Sequence, residues 1–135
     1  MNSTHRSMPA PSQNAENRHF FEATAEGRLL VKHCQDCGEY HHYPRALCPF
    51  CLSDRVEWTQ ASGNGTIYSF SVARRSGPHV YVIAYVTLDD IGVTLMSNII
   101  DSDTQILRIG DPVGVAFVPA EDGTMLPVFR PRHGA

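Results

Sequence analysis

A chain of 135 residues with 42% hydrophobic content has room for one folded domain, or one small domain with an appendage. A formal net charge of -3 and a pI near 6.1 give no electrostatic basis for binding nucleic acid or an anionic membrane. No apolar run approaches the roughly 20 residues that a membrane-spanning helix needs, and no signal peptide is visible, so a cytoplasmic location is expected.

Residues 1–14 are polar and rich in Pro and Ser, which predicts a disordered tail. Residues 14–26 can form a helix, with Phe20, Phe21 and Thr24 toward one side and Gly27 as its stop. The helix segment is placed at 15–28. Its apolar side can pack on its own domain or dock on a partner.

Residues 29–57 hold the strongest signal. Leu29 to Val31 reads as a short strand leading into Cys34, Cys37, Cys48 and Cys51, spaced C-x2-C-x10-C-x2-C. Two cysteines three apart on a tight turn aim both sulfurs at one point, and a second turn completes a tetrahedral shell for one zinc ion. These are the only cysteines in the chain, so the pattern leaves no thiol over. Two disulfides are the alternative, although C-x2-C pairs are commoner as metal or redox sites. His33, His41 and His42 crowd the site and could replace a cysteine ligand; surface positions are the simpler expectation for them. A shell of four cysteines has no open position for water or substrate, which predicts a structural metal and no catalytic residue here. Gly38 follows Cys37 and permits a positive φ, whereas Leu52 stands in the corresponding place after Cys51.

Residues 58–131 change character. Short β-type runs alternate with turns: Trp58 to Ala61, Thr66 to Val72, Val80 to Leu88, Val93 to Ile100, Val113 to Val118 and Met125 to Arg130. Five or six short strands without a long helix predict a small antiparallel barrel. In 80–88, Val80, Val82, Ala84, Val86 and Leu88 oppose Tyr81, Ile83, Tyr85 and Thr87; in 113–118, Val113, Val115 and Phe117 oppose Gly114, Ala116 and Val118. Apolar residues on both faces mean that the outside of the barrel is also covered, by the chain itself or by a partner protein. Trp58 is expected to seal the junction between the two modules.

Together, Gly27-Arg28-Leu29, Cys34-Gln35-Asp36-Cys37-Gly38, Tyr43-Pro44-Arg45 and Cys48-Pro49-Phe50-Cys51 are joined by the run 63–70, by Ile109-Gly110-Asp111-Pro112-Val113 and by Leu126 to Pro131. Over about residues 18–131 the chain resembles the acyl-CoA-associated zinc-ribbon/OB-fold family, formerly a domain of unknown function. That resemblance implies a mainly β fold, with an N-terminal helix, a rubredoxin-like zinc ribbon and a five-stranded OB-fold barrel. It implies a non-catalytic accessory subunit of a thiolase-like catalytic protein (a thiolase, aldolase or acyltransferase) in a hetero-oligomer. It also implies that the barrel helps hold the coenzyme A part of an acyl-CoA. Arg74, Arg75 and His79, on the loop between two strands, are the candidates to meet its phosphates, the alternative being a solvated charged loop, with Arg130 and Arg132 behind them. The competing reading is a single-stranded nucleic-acid-binding protein, since ribbons and OB barrels both serve that role. Lys32 is the only lysine and Arg74-Arg75 the only adjacent basic pair, where nucleic-acid binding calls for a basic groove.

Overall fold

The structure is a computed structural model that describes residues 8–74 and 80–132. The elements run α1 (Arg18–Thr24), β1 (Leu30–Cys34), β2 (Tyr40–His41), β3 (Val56–Gln60), β4 (Asn64–Ala73), β5 (Tyr81–Leu88), β6 (Thr94–Ile99), β7 (Pro112–Pro119) and β8 (Met125–Pro131). The first three strands form an antiparallel sheet in the order β2-β1-β3. Its β3 pairs along the whole of β1, from Leu30 opposite Gln60 to Cys34 opposite Val56. Trp58 to Gln60 therefore hydrogen-bond to the ribbon.

Strands β4 to β8 close a barrel in the order β4-β5-β6-β8-β7. All pairings are antiparallel except a single parallel contact, Ile99 with Phe129, between β6 and β8. This is the five-stranded Greek-key arrangement of the OB fold. The inward residues of β5 are Val82, Ala84, Val86 and Leu88, all buried, whereas Ile83 and Tyr85 face out. Strand β4 pairs with both β5 and β7, and a bulge between Ile67 and Ser69 helps it curve. Where β4 meets its two neighbours, valine side chains fill the space that a Cβ would need. A Cβ on Gly63, which sits at φ +91°, would run into Cγ1 of Val115, and one on Gly65 would lie 2.6 Å from Cγ1 of Val86.

One apolar core joins the modules. Phe20 and Phe21 of α1, Leu29, and Val31 of β1 belong to the same buried cluster as Val86, Val113 and Phe129 of the barrel. Trp58 and Tyr40 pack against its edge. Trp58 also lies under the Lys32 ammonium, 4.3 Å from the ring centroid, and beside the His19 ring. The Thr24 hydroxyl, buried, donates to the Met125 carbonyl at 2.7 Å and ties α1 to β8.

The helix is shorter than the 14–26 expectation. Asn14 Oδ1 accepts from the amides of Glu16 and Asn17, and Asn17 Oδ1 accepts from the amide of Asn14. These reciprocal bonds hold 14–17 in a turn, so the helix begins at Arg18. Residues 8–14, expected as part of a disordered tail, lie along the barrel instead. Met8 is buried with Ile100, Val118 and Val128 in a second cluster, and its carbonyl accepts from the Glu121 amide at 2.9 Å. This segment gives the outward side of β7, the Ala116 and Val118 side, its cover from the chain itself. Among the described residues, no helix is long and apolar enough to cross a membrane.

Candidate metal centre

The two cysteine turns are built alike. In the first, the Cys34 amide donates to the Glu39 carbonyl and the Gly38 amide to the Cys34 carbonyl; in the second, Cys48 donates to Ser53 and Leu52 to Cys48. The equivalent fifth residues both adopt the left-handed region, Gly38 at φ +81° and Leu52 at φ +66°. The leucine takes the backbone shape that the glycine takes, despite its Cβ. Amides also point at sulfur: Cys37 N–H to Cys34 Sγ and Phe50 N–H to Cys48 Sγ, each at 3.4 Å. Such bonds stabilise a thiolate once formed.

All four Sγ atoms lie within 4.8 Å of one another, with Cys34–Cys51 and Cys37–Cys48 at 3.6 Å. A sulfur tetrahedron around zinc, with Zn–S near 2.3 Å, has edges of about 3.8 Å. The donor set fits that ion. A disulfide requires about 2.05 Å, so the cysteines are not cross-linked. Cys34 and Cys48 are buried, Cys37 and Cys51 exposed. The Cys34 thiol is lowered to about 6, first by the Cys37 amide. Cys37 is pushed up to about 12: the Glu39 amide lowers it, but burial and the neighbouring thiols of Cys48, Cys34 and Cys51 together outweigh that pull. One thiolate forms readily in this cluster and the next is opposed; a dication removes the opposition. When bound, zinc would cross-link the two turns.

Among the described residues, no histidine joins the cluster. His33 Nδ1 lies 3.1 Å from a Glu57 carboxylate oxygen, and its ring stacks beside Tyr40. The expectation of surface positions for all three histidines is corrected at two of them. His41 is buried and neither ring nitrogen has a hydrogen-bond partner among the described residues. His42 packs its ring on Phe20 and Tyr43, with Nδ1 buried and unpartnered. The buried Phe20 ring holds His42 against α1, and His41 is the inward residue of β2 beside it.

Of the coenzyme A candidates, Arg74 is exposed just past the end of β4, and Arg75 and His79 lie outside the described residues. Arg130 and Arg132 are engaged with carboxylates, Arg130 with Asp101 at 3.5 Å and Arg132 with Asp89 at 3.8 Å. Arg132 and Arg108 also line a cavity of about 420 Å³, where Asp101, Asp103 and Asp111 outnumber them. The structure does not gather the described arginines into one phosphate site. Alternation along 80–88 marks Tyr85 in advance, whereas it does not single out the exposed Tyr68 and Met96 beside it on the barrel wall. The signal that could have found them is the charge count: the five barrel strands contain one charged residue, Arg130.

Two family models match adjacent stretches: the rubredoxin-like zinc ribbon domain of ChsH2 over residues 21–57, and the C-terminal OB-fold domain of ChsH2 over 58–118. The chain is 35% identical over 128 residues to a "Probable enoyl-CoA hydratase alpha subunit" of Thermomonospora curvata, covering 91% of this chain but only 40% of that longer protein. It is 33% identical over 112 residues to a "DUF35 domain-containing scaffold protein" of Methanothermobacter thermautotrophicus, covering 76% of this chain and 84% of the relative. A solved structure described as "Ltp2-ChsH2(DUF35) aldolase" superposes with a TM-score of 0.80 at 35% identity, over 90% of this chain and 98% of the matched one. The ribbon and barrel models match in succession along the chain, and this chain belongs to the DUF35/ChsH2 family of zinc-ribbon/OB-fold proteins.

Proposed function

We propose that this chain is a non-catalytic accessory subunit that assembles with a thiolase-fold partner acting on an acyl-CoA by carbon–carbon bond cleavage or formation. Cys34, Cys37, Cys48 and Cys51 hold a structural zinc in this reading, and the partner supplies the nucleophile and bases. The observation that carries it is the 35% identity over 98% of a chain solved in an aldolase complex, joined to a scaffold name on a second relative. The commitment of every cysteine to one cluster supports it from the chemical side. The exposed Arg74, with Arg75 and His79 close by in sequence, would contribute charge to the coenzyme A phosphates.

The nucleic-acid reading loses ground on the same surface. A phosphate backbone is held by several Lys or Arg contacts, and the barrel strands offer Arg130 alone, already paired with Asp101.

The test is reconstitution. The zinc-loaded chain alone should show no aldolase or thiolase turnover of an acyl-CoA. Mixed with the aldolase chain of the solved Ltp2-ChsH2(DUF35) complex, it should co-elute and support turnover. Turnover by the isolated chain would refute the reading.

A further inference from the structure

The outward side of β4, β5 and β6 is anomalous for a wall facing water. These strands contain no Asp, Glu, Lys or Arg. Protein surfaces ordinarily carry about a quarter to a third charged residues. In their place stand Tyr68 at the bulge (67% exposed), Ile83 (37%), Tyr85 (48%) and Met96 (63%). Tyr85 and Met96 are direct cross-strand partners, and Ser69 lies opposite Tyr85 on the other side. They form one patch, rimmed by the Thr87 and Thr94 hydroxyls, 2.8 Å apart, and by Ser71 and Asn98 across from Ile83. Aromatic residues and Met at the centre, no charge, and hydroxyls at the rim are the composition of a protein–protein interface core.

The patch does not stop at the barrel. Met96 also lines a cleft of about 200 Å³ whose other wall is Phe20, Phe21 and Tyr43, from α1 and the ribbon hairpin. A cleft of that size beside a flat apolar patch suits one large side chain as an anchor. On another side of the barrel the chain supplies its own cover, with Met8 packed on Val118 and Val128 and α1 bonded to β8.

We infer that the Tyr68–Tyr85–Met96 face, with the adjoining cleft, is the surface on which the catalytic subunit docks, through an uncharged apolar patch that inserts one large anchor side chain. This rests on the accessory-subunit reading above. The neutrality of the wall selects the occupant: a phosphate-bearing strand or a charged protein surface would lose its hydration here and gain no counter-charge.

The experiment measures binding of the full zinc-loaded chain to the purified aldolase chain of the Ltp2-ChsH2(DUF35) complex. Tyr85→Glu and Met96→Glu should each weaken binding by about a hundredfold, since a carboxylate would be buried unpaired. Ile109→Glu and Leu47→Glu, exposed positions elsewhere, should stay within about threefold of the native chain. Zinc content and melting temperature check each fold; should a glutamate unfold the barrel, the Tyr85→Ser/Met96→Ser double variant should still weaken binding by about tenfold. Full affinity in the face variants, with loss at Ile109 or Leu47, places the dock elsewhere and overturns the inference while the accessory reading stands. No binding by the native chain overturns both. Two further outcomes overturn the inference: face variants that abolish only self-association, making the face homomeric, or that abolish only low-salt binding of an oligothymidylate, making it a nucleic-acid face.

Discussion

Leu52 at φ +66° and Gly38 at φ +81° are the same turn position in the two halves of the metal centre, and they differ in backbone cost. A Cβ in the left-handed region costs about 1 kcal/mol, and the Leu52 side chain, exposed, returns little through burial. Leu52→Gly should therefore raise the stability of the zinc-loaded chain by up to about 1 kcal/mol, read as a shift in urea midpoint at constant slope. Gly38→Ala should lower it by about the same amount, because nothing lies within 4 Å of the added Cβ and only the backbone cost is left. A second residue-scale effect comes from the hidden histidines. Burial, reinforced by the charge of His41, lowers His42 from its ordinary 6.5 to about 4. Burial lowers His41 as well, and the Lys32 charge acts in the same direction, while the Arg45 backbone pulls the other way without reversing the shift. A depressed histidine binds its proton more weakly in the folded chain than in the unfolded one, so stability is full above pH 6.5 and falls as the pH drops toward 4. For His42 the loss is on the order of 3 kcal/mol across that window. His42→Phe should flatten the decline between pH 7 and 5 under saturating zinc; an unchanged slope would show that the loss arises elsewhere.

Elements show which parts of a chain a reader can see in advance. The four cysteines were legible because metal chemistry fixes residue type and spacing together, and β5 because period-two alternation fixes which side faces the core. The turn at 14–17 was not, since helical periodicity takes no account of two asparagines satisfying each other's amides. Met8 was hidden for another reason. It lies far in sequence from Ile100, Val118 and Val128, and a lone apolar residue in a polar stretch has no local signature of burial. The candidate arginines were visible by type, but charge pairing with Asp89 and Asp101 is a tertiary fact. The β4–β7 seam supplies a test at this scale. Gly63→Ala forces a Cβ into Val115 at a positive φ and should cost about 2 to 3 kcal/mol, with ladder amides of β4 and β7 such as Gly65 and Val115 losing hydrogen-exchange protection before the centre of β5. Uniform loss across the barrel would mean that the seam is not the weak point.

At the scale of the whole molecule, the metal and the barrel are not independent. Leu29 and Val31 reach the shared core from the segment that leads into Cys34, and Phe20 and Phe21 reach it from α1. If zinc leaves, the ribbon loses a cross-link whose binding free energy is about 10–16 kcal/mol in small zinc peptides, comparable with the whole stability of an ordinary domain at about 5–15 kcal/mol. The barrel then loses one wall of its core, because the apolar side chains of β1 and α1 no longer have a fixed frame. Chelation of the metal, or Cys34→Ser or Cys48→Ser, should accordingly unfold the ribbon and also lower protection of barrel amides such as Val82 and Val86, with one thermal transition in the zinc-loaded chain and a much lower one without metal. Docking on the β4–β6 face should weaken with it, since Met96 shares its cleft with Phe20 and Tyr43 on the ribbon side. Hydrogen exchange on metal-free chain decides the matter: barrel amides that keep full protection while the ribbon exchanges freely would show two separable modules, and the shared core would then hold no mechanical link between metal and dock.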